Sequence, residues 1–336
     1  MQPASLATTG RLNWIDWMKV IGIYLIAYGH LFSIGNIYVY VFSVPLFFII
    51  SGFLCKKEDN PNIFWKKLWY NLILPMILIR ILYIIIGIFL SHLKGTFDPA
   101  SIYKFPIFAL FGFHAGVGTL WFVYTLIILK IVNQYLPNRV VSAIVNFIIF
   151  PAMGIVINHW NPIVHGISLV YSSNAVINVC MASPFFYIGS LLRVKKKQLD
   201  DFKSVKLQIP LFICCLGIVY LCGKYNGGVW MYIDGYGNNI LLFIIGGMSG
   251  TTMVFVVSKW LNGIYHQVVT DLSNGTIIIL GFHFYVIDLI RKISPSVTYL
   301  DPIFAIAIIL IFVPVIWFVE KHIPYLMGVY RVKKMK

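Results

Sequence analysis

The feature that most constrains this chain is a succession of apolar runs, each about as long as a bilayer-crossing helix, joined by short polar connections. A membrane-spanning helix needs about 20 consecutive, mostly apolar residues. About ten segments meet that requirement, roughly 12–33, 37–55, 68–91, 119–136, 140–158, 174–193, 206–222, 239–258, 275–292 and 302–319. Only helices or closed barrels satisfy every backbone polar group inside lipid, and these runs are too long for barrel strands. Composition excludes a sizeable soluble unit, since 60% of the 336 residues are hydrophobic and 11% charged, against about 25% charged in soluble domains. The expected fold is all-α, a polytopic membrane bundle of about ten transmembrane helices forming a single domain over residues 1–336.

The net charge of +15, from 26 Lys and Arg against 11 Asp and Glu, would suggest a nucleic-acid partner in a soluble protein. Here the basic residues cluster in short loops, as positive-inside sorting produces, and no nucleic-acid partner is expected. With the N-terminus placed inside, about 19 basic residues fall on the inner side and about five on the outer side. Both termini are therefore expected in the cytoplasm, and an even number of spans agrees. The first apolar segment carries Asp16 and Lys19 and outlasts a signal-peptide core, so it reads as a retained span. Cys55, Cys180, Cys214, Cys215 and Cys222 lack metal-ligand spacing and read as small apolar residues. The short apolar stretch 105–113 reads as re-entrant or interfacial, and Trp160, Trp230, Tyr232 and Tyr236 as interfacial aromatics.

Ionisable groups inside spans are costly and point to function by default. The first span holds Lys19 and, eleven residues later, His30. That separation turns a helix by about 1100°, three turns plus about 20°, so the two share one face about 16 Å apart along the axis. Lys19 would sit near the inner mouth and His30 deep in the bundle. Taken singly, Lys19 reads equally as a snorkelling residue, and His30 as a hydrogen-bonded core histidine. His283, in the middle of its span, is either a packing residue bonded across helices or a general base. Arg80 calls for an anionic partner or a wet cavity, while Asp288 and Glu320 lie towards span ends and read as structural. His92, His114, His159 and His165 fall in or beside outer loops, where surface exposure is the default. Phosphate-binding glycine loops, zinc-type histidine pairs and a Gly-x-Ser-x-Gly elbow are absent. Pro45 inside the second span predicts a kink.

Several of these segments occur in an order with its own resemblance. Ile15-Asp16-Trp17-Met18-Lys19 leads to Tyr28-Gly29-His30, followed by Val44-Pro45-Leu46-Phe47-Phe48 through Ser51-Gly52-Phe53-Leu54. Leu120-Trp121-Phe122, Pro184-Phe185-Phe186-Tyr187-Ile188-Gly189 and Asn274-Gly275-Thr276 through His283 complete the set. Together they resemble acyltransferase family 3, bacterial membrane enzymes that acylate glycans and related acceptors. Lys19 stands where most of the family has Arg, which resembles the sugar O-acetylase branch that includes fucose 4-O-acetylase-like proteins. The family's Arg-x-x-Arg before a proline is missing before Pro75, and Ser43 stands where many relatives have His.

The resemblance implies a multi-pass protein of the bacterial inner membrane that moves an acyl group, acetyl in the first instance, from cytoplasmic acyl-CoA to a hydroxyl of a cell-surface or lipid-linked glycan. No resident cofactor or metal is implied, and acyl-CoA is a substrate. Lys19, Lys66 and Lys67 would receive the donor's phosphates. His30 would act as general base, or as nucleophile through an acyl-histidine. His283 is the second catalytic candidate; it or a hydroxyl such as that of Thr276 would stabilise the oxyanion. The rival reading is a transporter or flippase for a polar or lipid-linked glycan, which would also use buried ionisable groups.

Overall fold

Residues 11–96, 99, 118–159, 173–231, 235–296 and 299–328 are described by the structure, a computed structural model. The stretch 105–113, Trp160, Tyr232, His114 and His165 lie outside the described residues. The elements run α1 Asn13–His30, α2 Asn36–Tyr40, α3 Ser43–Leu54, α4 Pro61–Leu68, α5 Leu74–Leu93, α6 Trp121–Tyr135, α7 Arg139–Ile144, α8 Phe150–His159, α9 Ser173–Val194, α10 Lys196–Asp200, α11 Val205–Asn226, α12 Ile240–Trp260, α13 Gln267–Asn274, α14 Thr276–Ile293 and α15 Asp301–His322. Among the described residues the only extended pairing is one isolated bridge, Trp230 to Gly235.

Among the described residues seven segments are long and apolar enough to cross a membrane: Asn36–Leu54, Pro61–Leu93, Arg139–Ile157, Val176–Val194, Val205–Asn226, Ile240–Trp260 and Asp301–His322. The helices α1, α6 and α14 are not among them. α6 is short, at 15 residues, and α1 and α14 carry more charge; all three line an internal cavity, to whose wall they contribute Lys19, His30, Lys130 and Thr276.

Two long segments contain a π turn, Trp69–Ile73 between α4 and α5 and Val145–Ile149 between α7 and α8. Each turn ends two residues before a proline, Pro75 or Pro151. Proline has no N–H to give to the carbonyl four residues back, and its ring crowds that carbonyl; widening the turn resolves both problems. The carbonyl freed by Pro75 is that of Asn71, and Gly328 packs against it. A Cβ on Gly328 would lie 2.4 Å from that oxygen, and its φ of +69° is one that glycine adopts freely. The expected kink at Pro45 lies elsewhere. The segment breaks at Val41–Phe42, between α2 and α3, and Pro45 falls in the first turn of α3, where a missing N–H costs nothing.

The centre of the bundle is α1, which packs against α3, α12, α13, α14 and α15. One apolar cluster joins Ile23, Ile26 and Ala27 of α1 to Ile79, Ile279, Ile308 and Phe312. A second joins Phe48 of α3 to Leu126, Ile177, Phe185 and Phe243. Contacts fix which ends meet. Trp14 Nε1 donates to Asp200 Oδ1 at 3.1 Å, Lys259 Nζ to the Asp200 carbonyl at 2.7 Å, and Arg193 Nη1 to the Phe53 carbonyl at 3.2 Å. The start of α1 and the ends of α3, α9 and α12 therefore share one end of the bundle, which we call the basic end.

The tightest approach is between α3 and α9. A Cβ added to Gly52 would lie 1.8 Å from the Phe186 carbonyl oxygen, and one added to Gly189 would lie 2.0 Å from that of Ile49. Small residues let helices in lipid bring their backbones into contact and gain dispersion there. Gly217, by contrast, has no heavy atom within 4 Å of the corresponding position. Gly52→Leu and Gly189→Leu are each expected to destabilise the detergent-solubilised protein by at least about 2 kcal/mol, while Gly217→Leu leaves its thermal transition unchanged. Equal transitions for all three variants would refute backbone contact as the basis of this packing.

Candidate functional site

His30 is the last residue of α1, and His283 lies in the middle of α14. Sequence rotation placed Lys19 and His30 on one face; the fold adds the partner. His30 Nδ1 is 2.8 Å from His283 Nε2, with ring centroids 4.9 Å apart. His283 Nδ1 faces two backbone carbonyls, Ile279 O at 2.9 Å and Leu280 O at 3.1 Å. A carbonyl only accepts, so His283 Nδ1 carries the hydrogen and its Nε2, in the neutral ring, accepts. His30 Nδ1 must then be the donor to His283. The remaining nitrogen of His30, Nε2, keeps its lone pair, and His30 lines the cavity. His283 is 1% exposed and stands behind His30, outside the cavity lining.

The surroundings hold this pair in place. Tyr40 Oη donates to the Gly29 carbonyl at 2.6 Å, and the ring fits because a Cβ on Gly29 would lie 2.8 Å from it. Thr119 Oγ1 donates to the Leu280 carbonyl at 2.6 Å, steadying the turn that orients His283. Just past His30, the Leu31 carbonyl accepts from Arg291, which is paired with the fully buried Asp301 through both carboxylate oxygens at 3.1 and 3.0 Å. Bidentate Arg–carboxylate pairs are rigid as well as strong, so the ends of α1 and α14 and the start of α15 are pinned together.

The cavity has a volume of about 1020 Å³. Its lining runs from Arg11 and Lys19 through Ile23 and Ile26 to His30 and Phe32. It therefore follows α1 from end to end, and 18 residues at the helical rise make about 27 Å. At the basic end Asp16 is 5% exposed and fully engaged. Arg11 Nε and Nη2 donate to its two oxygens at 2.6 and 2.9 Å, and Ser273 Oγ donates at 2.5 Å. Arg11 Nη2 also reaches Asn274 Oδ1 at 3.0 Å. Lys19 and Lys130 line the same end, and neither forms a hydrogen bond or ion pair with a described residue.

Of the residues singled out from sequence, Lys19, His30, Thr276, Trp230 and Glu320, the last read from sequence as structural, line this cavity, and His283 supports it. Lys66 and Lys67 do not line it. Lys66 is exposed, and Lys67 is ion-paired with Glu58 at 2.7 Å. Thr276 Oγ1 is directed to the Ser273 carbonyl at 3.4 Å. Arg11, Lys130, Asn71 and Ser43 are lining residues that sequence reasoning passed over as site groups. Lys130 had a usable signal, since Val123, Leu126 and Lys130 recur at helical spacing on one face of α6. Among the described residues no group of three or more His, Cys, Asp or Glu is placed to hold a metal.

The hydrogen-bond order makes a direct prediction. In nitrogen-15 spectra of histidine-labelled protein at neutral pH, both rings are expected as the neutral Nδ1–H tautomer, with a coupling between His30 Nδ1–H and His283 Nε2. An Nε2–H tautomer at His30 would overturn the assignment of its free lone pair.

No curated protein and no solved structure matches this chain significantly. A family model described as an acyltransferase domain, that of acyltransferase family 3, matches residues 12–321. That interval holds the whole of α1 through nearly the end of α15, including both histidines and all but one of the cavity's charged groups named above. The chain, a multi-pass membrane protein by its apolar helices and an acyltransferase by its domain, belongs to acyltransferase family 3.

Proposed function

We propose that this enzyme transfers an acetyl group from cytoplasmic acetyl-CoA to a hydroxyl of a cell-surface or lipid-linked glycan. The observation that carries the reading is one cavity with uncommitted cations at one end and the free Nε2 of His30 at the other. Acyl-CoA suits that polarity. Its phosphates would meet Lys19, Lys130 and Arg11, and the pantetheine arm would run between apolar walls to His30, about 16 Å from Lys19 along α1. Lys66 and Lys67 stand about one turn before Asn71, so they lie on the approach to this mouth and would attract the donor without holding it. Lys19 in place of Arg is the feature that supports the sugar O-acetylase branch.

In the chemical step the acceptor hydroxyl gives its proton to His30 Nε2 as its oxygen attacks the thioester carbonyl. The imidazolium so formed is stabilised through its Nδ1–H bond to His283 Nε2. Collapse of the tetrahedral adduct breaks the C–S bond, and the proton on Nε2 passes to the departing CoA thiolate. The products are the ester and CoA, and both histidines return to their starting forms. His283 is here a positioning residue, holding the His30 ring and its tautomer.

We further propose ten membrane crossings, with α1, α6 and α14 added to the seven apolar segments, and both termini in the cytoplasm of a bacterial inner membrane. The clustering of basic residues at the ends of α1, α9 and α12 supports this orientation. A cavity along a whole helix would also serve transport of a polar solute, and acyl-donor use separates the two readings. For purified protein we expect Lys19→Ala to weaken acetyl-CoA binding about tenfold. His30→Ala should bind like wild type and lose at least about 99% of transfer. Folded wild type that binds no acyl-CoA would remove the proposal in favour of transport.

A further inference from the structure

We infer that Ser43 and the first backbone N–H groups of α3 form the oxyanion-binding site of this enzyme, an assignment that rests on the acyl-transfer reading above. A thioester under attack places a negative charge on its carbonyl oxygen. Donors already aimed at that oxygen in a water-poor site lower the barrier most. The cavity walls near His30 are apolar, with Ile26, Phe47, Leu280 and Phe284 among the lining residues. The groups proposed from sequence for this role are otherwise engaged. His283 Nε2 accepts from His30, and Thr276 Oγ1 is directed to the Ser273 carbonyl at the basic end.

The start of α3 supplies what they do not. The helix begins after the break at Val41–Phe42, and its first closing bond runs from Leu46 N–H to the Phe42 carbonyl at 2.9 Å. Pro45 has no N–H. The N–H groups of Ser43 and Val44 have no backbone partner among the described residues, and both residues line the cavity. A helix start concentrates positive potential at such groups.

The side chain of Ser43 is the second, independent observation. Ser43 is 1% exposed, and its hydroxyl makes no hydrogen bond to any described residue. Most other buried hydroxyls here, among them those of Ser33, Ser142, Ser183, Thr251, Ser258 and Ser273, donate to a carbonyl or carboxylate, and Thr125, which does not line the cavity, is also unpaired. Buried hydroxyls in proteins are nearly always paired. What sets Ser43 apart is its place on the cavity wall, where its hydroxyl is open to a group that arrives with the substrate.

Position agrees with the role. Tyr40, whose hydroxyl holds the Gly29 carbonyl, has its ring 6.3 Å from that of His30, and Ser43 follows it three residues later, just across the break at Val41–Phe42. Base and donors thus line one cavity at neighbouring levels. As the acceptor oxygen bonds to the carbonyl carbon, the π electrons move onto the carbonyl oxygen, which receives the Ser43 O–H and the Ser43 and Val44 N–H groups. They release it when the C–S bond breaks and the carbonyl re-forms.

The test uses the full-length protein in nanodiscs with acetyl-CoA carrying carbon-13 at its carbonyl. Hydrogen bonding to the carbonyl oxygen lowers its stretching frequency. Bound to wild type, the labelled stretch is expected below its value in solution, and Ser43→Ala should shift it back upward while the Kd for acetyl-CoA stays within about threefold. An unchanged frequency in Ser43→Ala would overturn the oxyanion assignment and leave the acyl-transfer reading standing. Loss of binding in the variant would do the same, since it would make Ser43 structural. Failure of folded wild type to bind acetyl-CoA would remove both.

Discussion

Much in this structure depends on one hydrogen bond, from His30 Nδ1 to His283 Nε2. It joins the end of the central helix to the middle of α14, and it decides which nitrogen of His30 is free. The bond has this meaning only because His283 is itself oriented by two carbonyls of its own helix. A chain of donors and acceptors that starts on the helix backbone thus ends on the lone pair of His30 Nε2, and His30 lines the cavity. His283 is buried, and leaving a buried donor or acceptor unpaired is costly, so such an order resists disturbance.

The same logic accounts for the ends of α1. A helix carrying Asp16, Lys19 and His30 is a poor membrane segment and needs partners. At one end the Asp16 carboxylate is surrounded by Arg11 and Ser273. At the other, Arg291 and Asp301 close over the Leu31 carbonyl. Removing one member of a buried pair leaves the other uncompensated, at a cost of about 3–5 kcal/mol. Between these clamps the one charged group on α1, Lys19, has no counterion within bonding distance among the described residues.

Helix positions were largely legible in the amino-acid order, because apolar length is read directly by the bilayer. Each expected span has its helix, although only seven meet the length and polarity of a crossing on their own. The π turns before Pro75 and Pro151 and the break at Val41–Phe42 were not legible, since they depend on how a freed carbonyl is satisfied locally. In the site, the shared face of Lys19 and His30 followed from helical rotation. The meeting of His30 with His283, 253 residues away, did not, because rotation says nothing about which helix lies opposite. Lys66 and Lys67 looked suitable by charge and loop position, but Lys67 had a nearer partner in Glu58. Ser43 was noticed only as a departure from the family pattern; its lack of a partner is a property of the folded interior.

The glycine contact between α3 and α9 has a mechanical consequence. With Gly52 against the Phe186 carbonyl and Gly189 against that of Ile49, the two backbones are in register along a shared seam. Neither helix can slide or roll without driving a carbonyl oxygen into the facing backbone. The wall of the cavity that carries Ser43, Val44 and Phe47 is therefore its stiff side. The π-turned α4–α5 segment, which brings Asn71 and Leu72 to the same cavity, is by contrast little buried within the bundle.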